Sequence, residues 1–125
     1  MKRTVLLLFI VVLISSGLAP GQAKKGASKE MSLKGEVVDV ACYLAEGARG
    51  EGHIACATAC AKAGGALGIL TADGKLYVSL LPDDHKNNPN HLLMDHIGHT
   101  VEARGLVRSK GGVNGIMITS VAMAK

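Results

Sequence analysis

Short apolar runs separated by turn residues predict a mainly β chain. The segment SLKGEVVDVA, which begins at Ser32, is rich in valine and predicts a first strand. In LGILTADGKLYVSLL, two apolar runs flank Asp73-Gly74, which predicts a β-hairpin that supplies the second and third strands. Apolar and polar residues alternate in TVEARGLVRS, which predicts a fourth strand, and GIMITSVAMA predicts a fifth.

Two other segments predict helices. The alanine-rich segment 54–63 predicts a helix in the insert between the first and second strands. A short helix is also expected between the third and fourth strands, from Asn88-Pro89 to Ile97, with Leu93 and Ile97 buried. Five strands with a helix in that place resemble the OB-fold, a small Greek-key barrel whose first long loop is a common binding loop. We therefore expect a mainly β, five-stranded, OB-like barrel with a helical Cys/His insert between strands 1 and 2.

The N-terminal residues have the pattern of a secretory signal peptide. Lys2 and Arg3 precede an apolar run over residues 5–14, and small residues precede a cut after Ala23. The run is shorter than the ~20 residues that span a bilayer, so no membrane insertion is expected after the signal peptide is cleaved. The alternative is that the segment is not cleaved and stays as an N-terminal membrane anchor. We expect a signal peptide (1–23), a disordered leader (24–31) and one domain (32–125), with a periplasmic or secreted location.

Charge and composition then narrow the expected partners. The formal net charge of +4 comes from the N-terminal residues, because the chain from Ser32 onward has nine basic and nine acidic residues. Apart from a phenylalanine in the signal peptide, the aromatic residues are Tyr43 and Tyr77. A neutral domain with two aromatics lacks the basic stacking surface that binds single-stranded nucleic acid, so no nucleic-acid partner is expected.

The segment from residue 42 to residue 60 contains all three cysteines and one histidine. Cys56 and Cys60 are four residues apart on the predicted helix, so both sulfurs project from one face, ~6 Å apart along the axis. Cys42 is predicted at the end of the first strand, facing that helix. If the helix begins after His53, the imidazole and three thiolates make a Cys3His-type site for zinc or copper. If the helix includes His53, only the sulfurs remain.

Two other uses of the same thiols stay open. Cysteines of exported proteins usually form disulfides, so Cys42 would be bridged to Cys56 or Cys60. The domain would then be a non-catalytic interaction module whose partner is another periplasmic protein. Alternatively, Cys56 is the exposed thiolate of a thiol redox protein, with Cys60 or Cys42 as the resolving thiol. The spacings of c-type haem attachment and of a thioredoxin-like site are absent, and so are the common hydrolase motifs. No catalytic residues are therefore predicted.

Five short strings within residues 35–105 carry a family resemblance: GEVVDVACYLAEG, GHIACATAC, AGGALGIL, DGKLYVSL and HIGHTVEARG. Together they resemble a pattern of small exported bacterial OB-like proteins. The resemblance implies the fold and the exported location, and it carries no activity. The sequence thus predicts an exported metal-binding protein with a structural or metal-handling role. Its candidate ligands are Cys42, His53, Cys56 and Cys60.

Overall fold

The computed structural model describes residues 29–82 and 85–125. Its elements are β1 (Lys29–Asp39), α1 (Val40–Glu46), α2 (Ile54–Lys62), β2 (Leu67–Thr71), β3 (Leu76–Ser79), β4 (Thr100–Lys110) and β5 (Val113–Met123), with 3₁₀ turns at Glu51–His53 and Met94–His96. The predicted signal peptide and the leader up to residue 28 lie outside the described residues. β1 begins before the predicted start of order at Ser32. No helix in the described part of the chain is long and apolar enough to span a membrane.

The five strands close into a barrel in the order β1-β2-β3-β5-β4. β1 pairs antiparallel with both β2 and β4, β2 and β3 form the predicted hairpin, and β4 pairs antiparallel with β5. The short contact between β3 and β5 is parallel. Closure gives every strand a partner on both sides, although β3 and β5 pair over only three residues of each strand. The prediction of a mainly β, five-stranded barrel is confirmed.

The barrel interior is filled by the apolar positions of the alternating strands. On β4, Val101 and Ala103 are buried while Glu102 and Arg104 are exposed, as the alternation predicts. The buried cluster also includes residues from the connections between strands, so α2 and the segment before β4 pack directly on the barrel. Its members are Leu33, Val37, Ala57, Ala61, Leu67, Ile69, Leu93, Ile97, Val101, Ala103 and Ile116.

The connection between β3 and β4 differs from the prediction. In place of an α-helix, its described residues form turns that end in the 3₁₀ turn Met94–His96. The cause is Asn90, which is 3% exposed and bonds to other parts of the chain. Its Oδ1 accepts hydrogen bonds from Leu67 N and Ser79 Oγ, and its Nδ2 donates to Gly65 O. These tertiary hydrogen bonds hold the segment against the sheet and override its local helix propensity.

Replacing Asn90 with alanine should destabilise the barrel. The change leaves the buried N–H of Leu67 and the carbonyl of Gly65 without their partner, at about 1–3 kcal/mol for each group. We expect the free energy of unfolding to fall by about 2–6 kcal/mol in urea denaturation. Ser79→Ala, which removes one of the same hydrogen bonds, should cost about 1 kcal/mol. Equal effects of the two variants would contradict this account.

Candidate metal centre

Asp39 determines where α1 begins. It ends β1 with an extended backbone, and its Oδ1 accepts a hydrogen bond of 2.7 Å from the backbone N–H of Cys42. This is the bond that an aspartate N-cap makes to the third residue of a helix. Cys42 therefore lies in the first turn of α1. The prediction that placed it at the end of the first strand is wrong by three residues, because the cap starts a helix where the strand stops.

The segment between the helices keeps α2 from extending back over His53. Gly50 has a φ of +77°, a conformation that residues with a side chain rarely adopt, and its N–H donates to Oε1 of Glu36 on β1. The 3₁₀ turn that ends at His53 follows, and α2 begins at Ile54. His53 thus occupies the N-cap position of α2. The sequence prediction included the imidazole among the ligands only if the helix begins after His53, and the helix does so.

Close backbone approach holds the start of α1 against the end of α2. The N–H of Val40 donates to the carbonyl of Ala66 at 3.0 Å, which joins the two ends of the insert. At Gly65, an added Cβ would lie 2.9 Å from the carbonyl oxygen of Cys60 and 3.4 Å from Oδ2 of Asp39. Glycine lets the chain pass between these two groups. The carboxylate consequently lies beside the last turn of α2.

The two cysteines of α2 lie at the border between its packed face and solvent. Ala57 and Ala61 are each 2% exposed and belong to the barrel core. Each cysteine directly precedes one of these alanines, so its side chain is rotated by about 100° from the packed face. Cys56 is exposed and Cys60 is half-buried. Small alanine side chains allow the helix to approach the barrel closely, which keeps the sulfurs near α1.

Two groups of potential metal ligands result, and they share one sulfur. The histidine group consists of Cys42, His53 and Cys56, and the aspartate group consists of Asp39, Cys42 and Cys60. Within each group, one donor atom from every residue lies within 4.8 Å of the others. The structure therefore brings the Cys42 sulfur close to every other predicted ligand. Among the described residues, Cys56 and Cys60 fall into different groups, so the four predicted ligands do not form one cluster.

Each group contains a buried polar atom without a hydrogen-bond partner. In the aspartate group the atom is Oδ2 of Asp39, a residue that is 1% exposed, and in the histidine group it is Nε2 of His53. Neither atom has a partner among the residues that the structure describes. Buried polar atoms are normally paired, because an unmade hydrogen bond costs free energy. A cation bound in each group would satisfy both atoms.

Two of the three thiols have raised pKa values. Hydrogen bonding to the Asp39 carboxylate is the main cause that raises the pKa of the Cys42 thiol to about 12, and burial adds to it. Burial is the main cause that raises the pKa of the Cys60 thiol, and the neighbouring Cys56 and Asp39 add to the rise. All three cysteines are free thiols. Without a cation, negative charge at the shared sulfur is therefore unfavourable.

Asp39 is the potential ligand that the sequence interpretation missed. The available signal was an aspartate directly before the helix-forming string VACYLAE and three residues ahead of Cys42, which is N-cap spacing. Such a residue can cap a helix and still offer its second oxygen to a metal ion.

Comparison with protein-family models, with curated proteins and with solved structures finds no match. No residue role is therefore carried over from a relative. The chemistry of the site follows from its donor atoms, their burial and their charges.

The three thiols of the reduced, metal-free chain should react with iodoacetamide at different rates. Cys56 should be alkylated first because it is exposed, and Cys42 last because its raised pKa leaves little thiolate at neutral pH. Peptide mapping by mass spectrometry over time measures the order. In the urea-unfolded chain the three rates should converge.

A paired substitution tests the cause of the slow reaction. Asp39→Asn keeps an N-cap side chain but removes the carboxylate charge, so alkylation of Cys42 should become faster. Asp95→Asn, which changes an exposed carboxylate outside both groups, should leave the rate unchanged. A Cys42 thiol that reacts as fast as Cys56 in the native chain would contradict the assignment.

Proposed function

We propose that the protein binds a transition-metal ion, zinc or cuprous copper, and that it has a structural or metal-handling role. The ligands are those of a Cys3His-type site: Cys42, His53, Cys56 and Cys60. The observation that carries the proposal is the histidine group, in which two sulfurs and a ring nitrogen from separate elements converge within 4.8 Å. Cys60 is the fourth donor, because it lies beside the Cys42 sulfur in the aspartate group.

Only small movements separate the three donors of the histidine group from a bound geometry. In a tetrahedral zinc site with Zn–S bonds of ~2.3 Å, neighbouring sulfurs are ~3.8 Å apart. Donors that lie within 4.8 Å of one another need to approach by about 1 Å or less. Rotation of the exposed Cys56 side chain supplies part of this movement at little packing cost. The unpartnered Nε2 of His53 supports the proposal because imidazole binds zinc and copper through such a nitrogen.

The donor set narrows the choice of metal. Thiolates select zinc and cuprous copper, imidazole accepts both, and magnesium or calcium would require oxygen ligands. A ligand must lose its thiol proton before it binds, and the charge of the ion compensates the cost of forming thiolate beside Asp39. The raised pKa values of Cys42 and Cys60 therefore do not oppose the proposal.

The proposal includes an OB-like Greek-key topology and export to the periplasm or beyond. The topology is supported by the pairing of β1 with both β2 and β4 and by the parallel contact between β3 and β5. The helix expected between strands 3 and 4 is replaced by turns, and α2 contributes its buried alanines to the core instead. Export is supported by the signal-like pattern of residues 1–23.

Thiol redox chemistry is the second candidate function, and one observation favours it. The Cys42 sulfur lies within 4.8 Å of both other sulfurs, with Cys56 exposed, so either disulfide needs little movement. In that case the isolated protein would have a mass two hydrogens below the reduced value and would bind no metal. Intact-mass and free-thiol measurements on the isolated protein distinguish the two functions.

The reduced full chain should bind Zn²⁺, and Cys42→Ser should weaken binding more than any other single change because both groups need this sulfur. Loss of an outer-shell partner already costs about 10–100-fold in metal affinity, so loss of the shared ligand should exceed about 100-fold. Competition with a chromogenic chelator measures the affinity, and native mass spectrometry identifies the bound ion.

Two further variants complete this test. His53→Ala should also weaken zinc binding, whereas His91→Ala, which removes an exposed histidine outside both groups, should have no effect. Circular dichroism verifies that each variant is folded. Unchanged zinc affinity in folded Cys42→Ser would overturn the proposed site.

Zinc affinity should rise with pH between 6 and 8. The pKa of Cys42 is about 12 in the metal-free chain, and that of Cys60 is also raised, so both thiols are protonated in this range and must release protons on binding. The apparent affinity should therefore increase about tenfold per pH unit for each thiol proton displaced. Chelator competition at several pH values measures the slope. A slope of zero would mean that no thiol proton is displaced.

A further inference from the structure

Asp39 is a buried carboxylate without a compensating cation among the described residues. It is 1% exposed, and its Oδ1 already accepts the capping hydrogen bond from Cys42. Its Oδ2 has no hydrogen-bond partner, and one oxygen of the same carboxylate lies within 4.8 Å of the sulfurs of Cys42 and Cys60. Burial of a carboxylate is costly unless it is paired or coordinates a metal ion. The cap accounts for Oδ1, and the rest of the carboxylate faces the sulfurs of Cys42 and Cys60.

The charge of the combined groups favours two divalent ions over one. The two groups together contain four anionic donors when their thiols are ionised: Asp39, Cys42, Cys56 and Cys60. A single divalent ion would leave two negative charges uncompensated beside the barrel, one of them on the buried carboxylate. Two divalent ions balance all four charges, with His53 as the neutral donor. A buried site close to neutrality is the more stable arrangement.

We propose that the protein binds a second zinc ion in the aspartate group, between Asp39, Cys42 and Cys60, with the Cys42 thiolate bridging the two ions. This inference rests on the proposed function, since the first ion occupies the histidine group. With one ion bound, Cys60 is available as the fourth ligand of that ion. With two ions bound, Cys60 turns to the second ion, and Asp39 supplies the donor that the sequence prediction lacked.

The carboxylate also determines which metal suits the second position. Zinc accepts oxygen as well as sulfur and nitrogen ligands, whereas cuprous copper prefers soft donors. The histidine group has only sulfur and nitrogen donors, so it suits both metals. The aspartate group, with one carboxylate among its three donors, suits zinc.

Titration of the reduced full chain with Zn²⁺, followed by native mass spectrometry, tests the second position. We expect two zinc ions per chain in the wild type. Asp39→Asn keeps a side-chain oxygen for the cap of α1 but removes the charged donor, so this variant should retain one ion at zinc concentrations that fill both positions in the wild type. Cys60→Ser should likewise retain one ion, and Cys42→Ser should lose both.

Matched controls separate a specific loss from misfolding and from adventitious zinc. Asp95→Asn, at an exposed carboxylate outside both groups, should still bind two ions. Circular dichroism and a thermal melt verify that Asp39→Asn is folded, and Cys60→Ser tests the same position without touching the cap. Co²⁺ can replace Zn²⁺ as a spectroscopic probe, and the charge-transfer band of the second equivalent should disappear in Cys60→Ser.

The possible outcomes distinguish this inference from the proposed function. One zinc ion in both the wild type and Asp39→Asn would overturn the second position and leave the first intact. Two ions in both proteins would exclude Asp39 as a ligand and would also overturn the inference. No bound zinc in the reduced wild type would overturn the proposed function itself.

Discussion

The backbone pairing at the junction of β1 and β2 is the constraint on which the candidate site depends. The register places Asp39 opposite Leu67, and the next hydrogen bond joins Val40 to Ala66. All residues between these points must therefore leave the barrel and return within a few ångströms of where they left. Two short helices joined by a glycine-containing loop satisfy this requirement. The cysteines on the two helices consequently face one another.

Asp39 is both a buried residue of the sheet and the N-cap of a helix. As the last residue of β1 it is buried by the register of the sheet, and as the N-cap of α1 it must keep an oxygen near the N–H of Cys42. The cap fixes the direction of Oδ1, and the geometry of a carboxylate then fixes Oδ2 beside the end of α2. At Gly65, an added Cβ would lie 3.4 Å from this oxygen and only 2.9 Å from the carbonyl oxygen of Cys60, so a larger residue would displace the end of α2. The hydrogen bond from the N–H of Cys42 to Oδ1 therefore both caps α1 and determines where Oδ2 lies.

The strands could be predicted from the sequence because their causes are local, whereas the sequence leaves the start of α2 open between the two sides of His53. Alternation along β4 reports which residues face the core, and Gly50 marks the break that lets α2 begin after His53. The conformation around Asn90 could not be predicted, because its partners lie 11 to 25 residues away in the chain. The division of the ligands into two groups has a similar origin. It depends on how α1 sits above the end of β1, which the spacing of the cysteines does not specify.

In the proposed site, the shared sulfur would make metal binding and disulfide formation mutually exclusive. A disulfide from Cys42 to either other cysteine would remove the one donor that both groups contain, whichever partner it selected. A bound ion, in turn, withdraws the thiolate from attack on an oxidant or a second sulfur. The pKa of about 12 adds to this protection before metal arrives, because a neutral thiol is a poor nucleophile. Of the three thiols, the least reactive is therefore the one on which the whole site depends, and Cys56, at the surface, is the first to meet an oxidant.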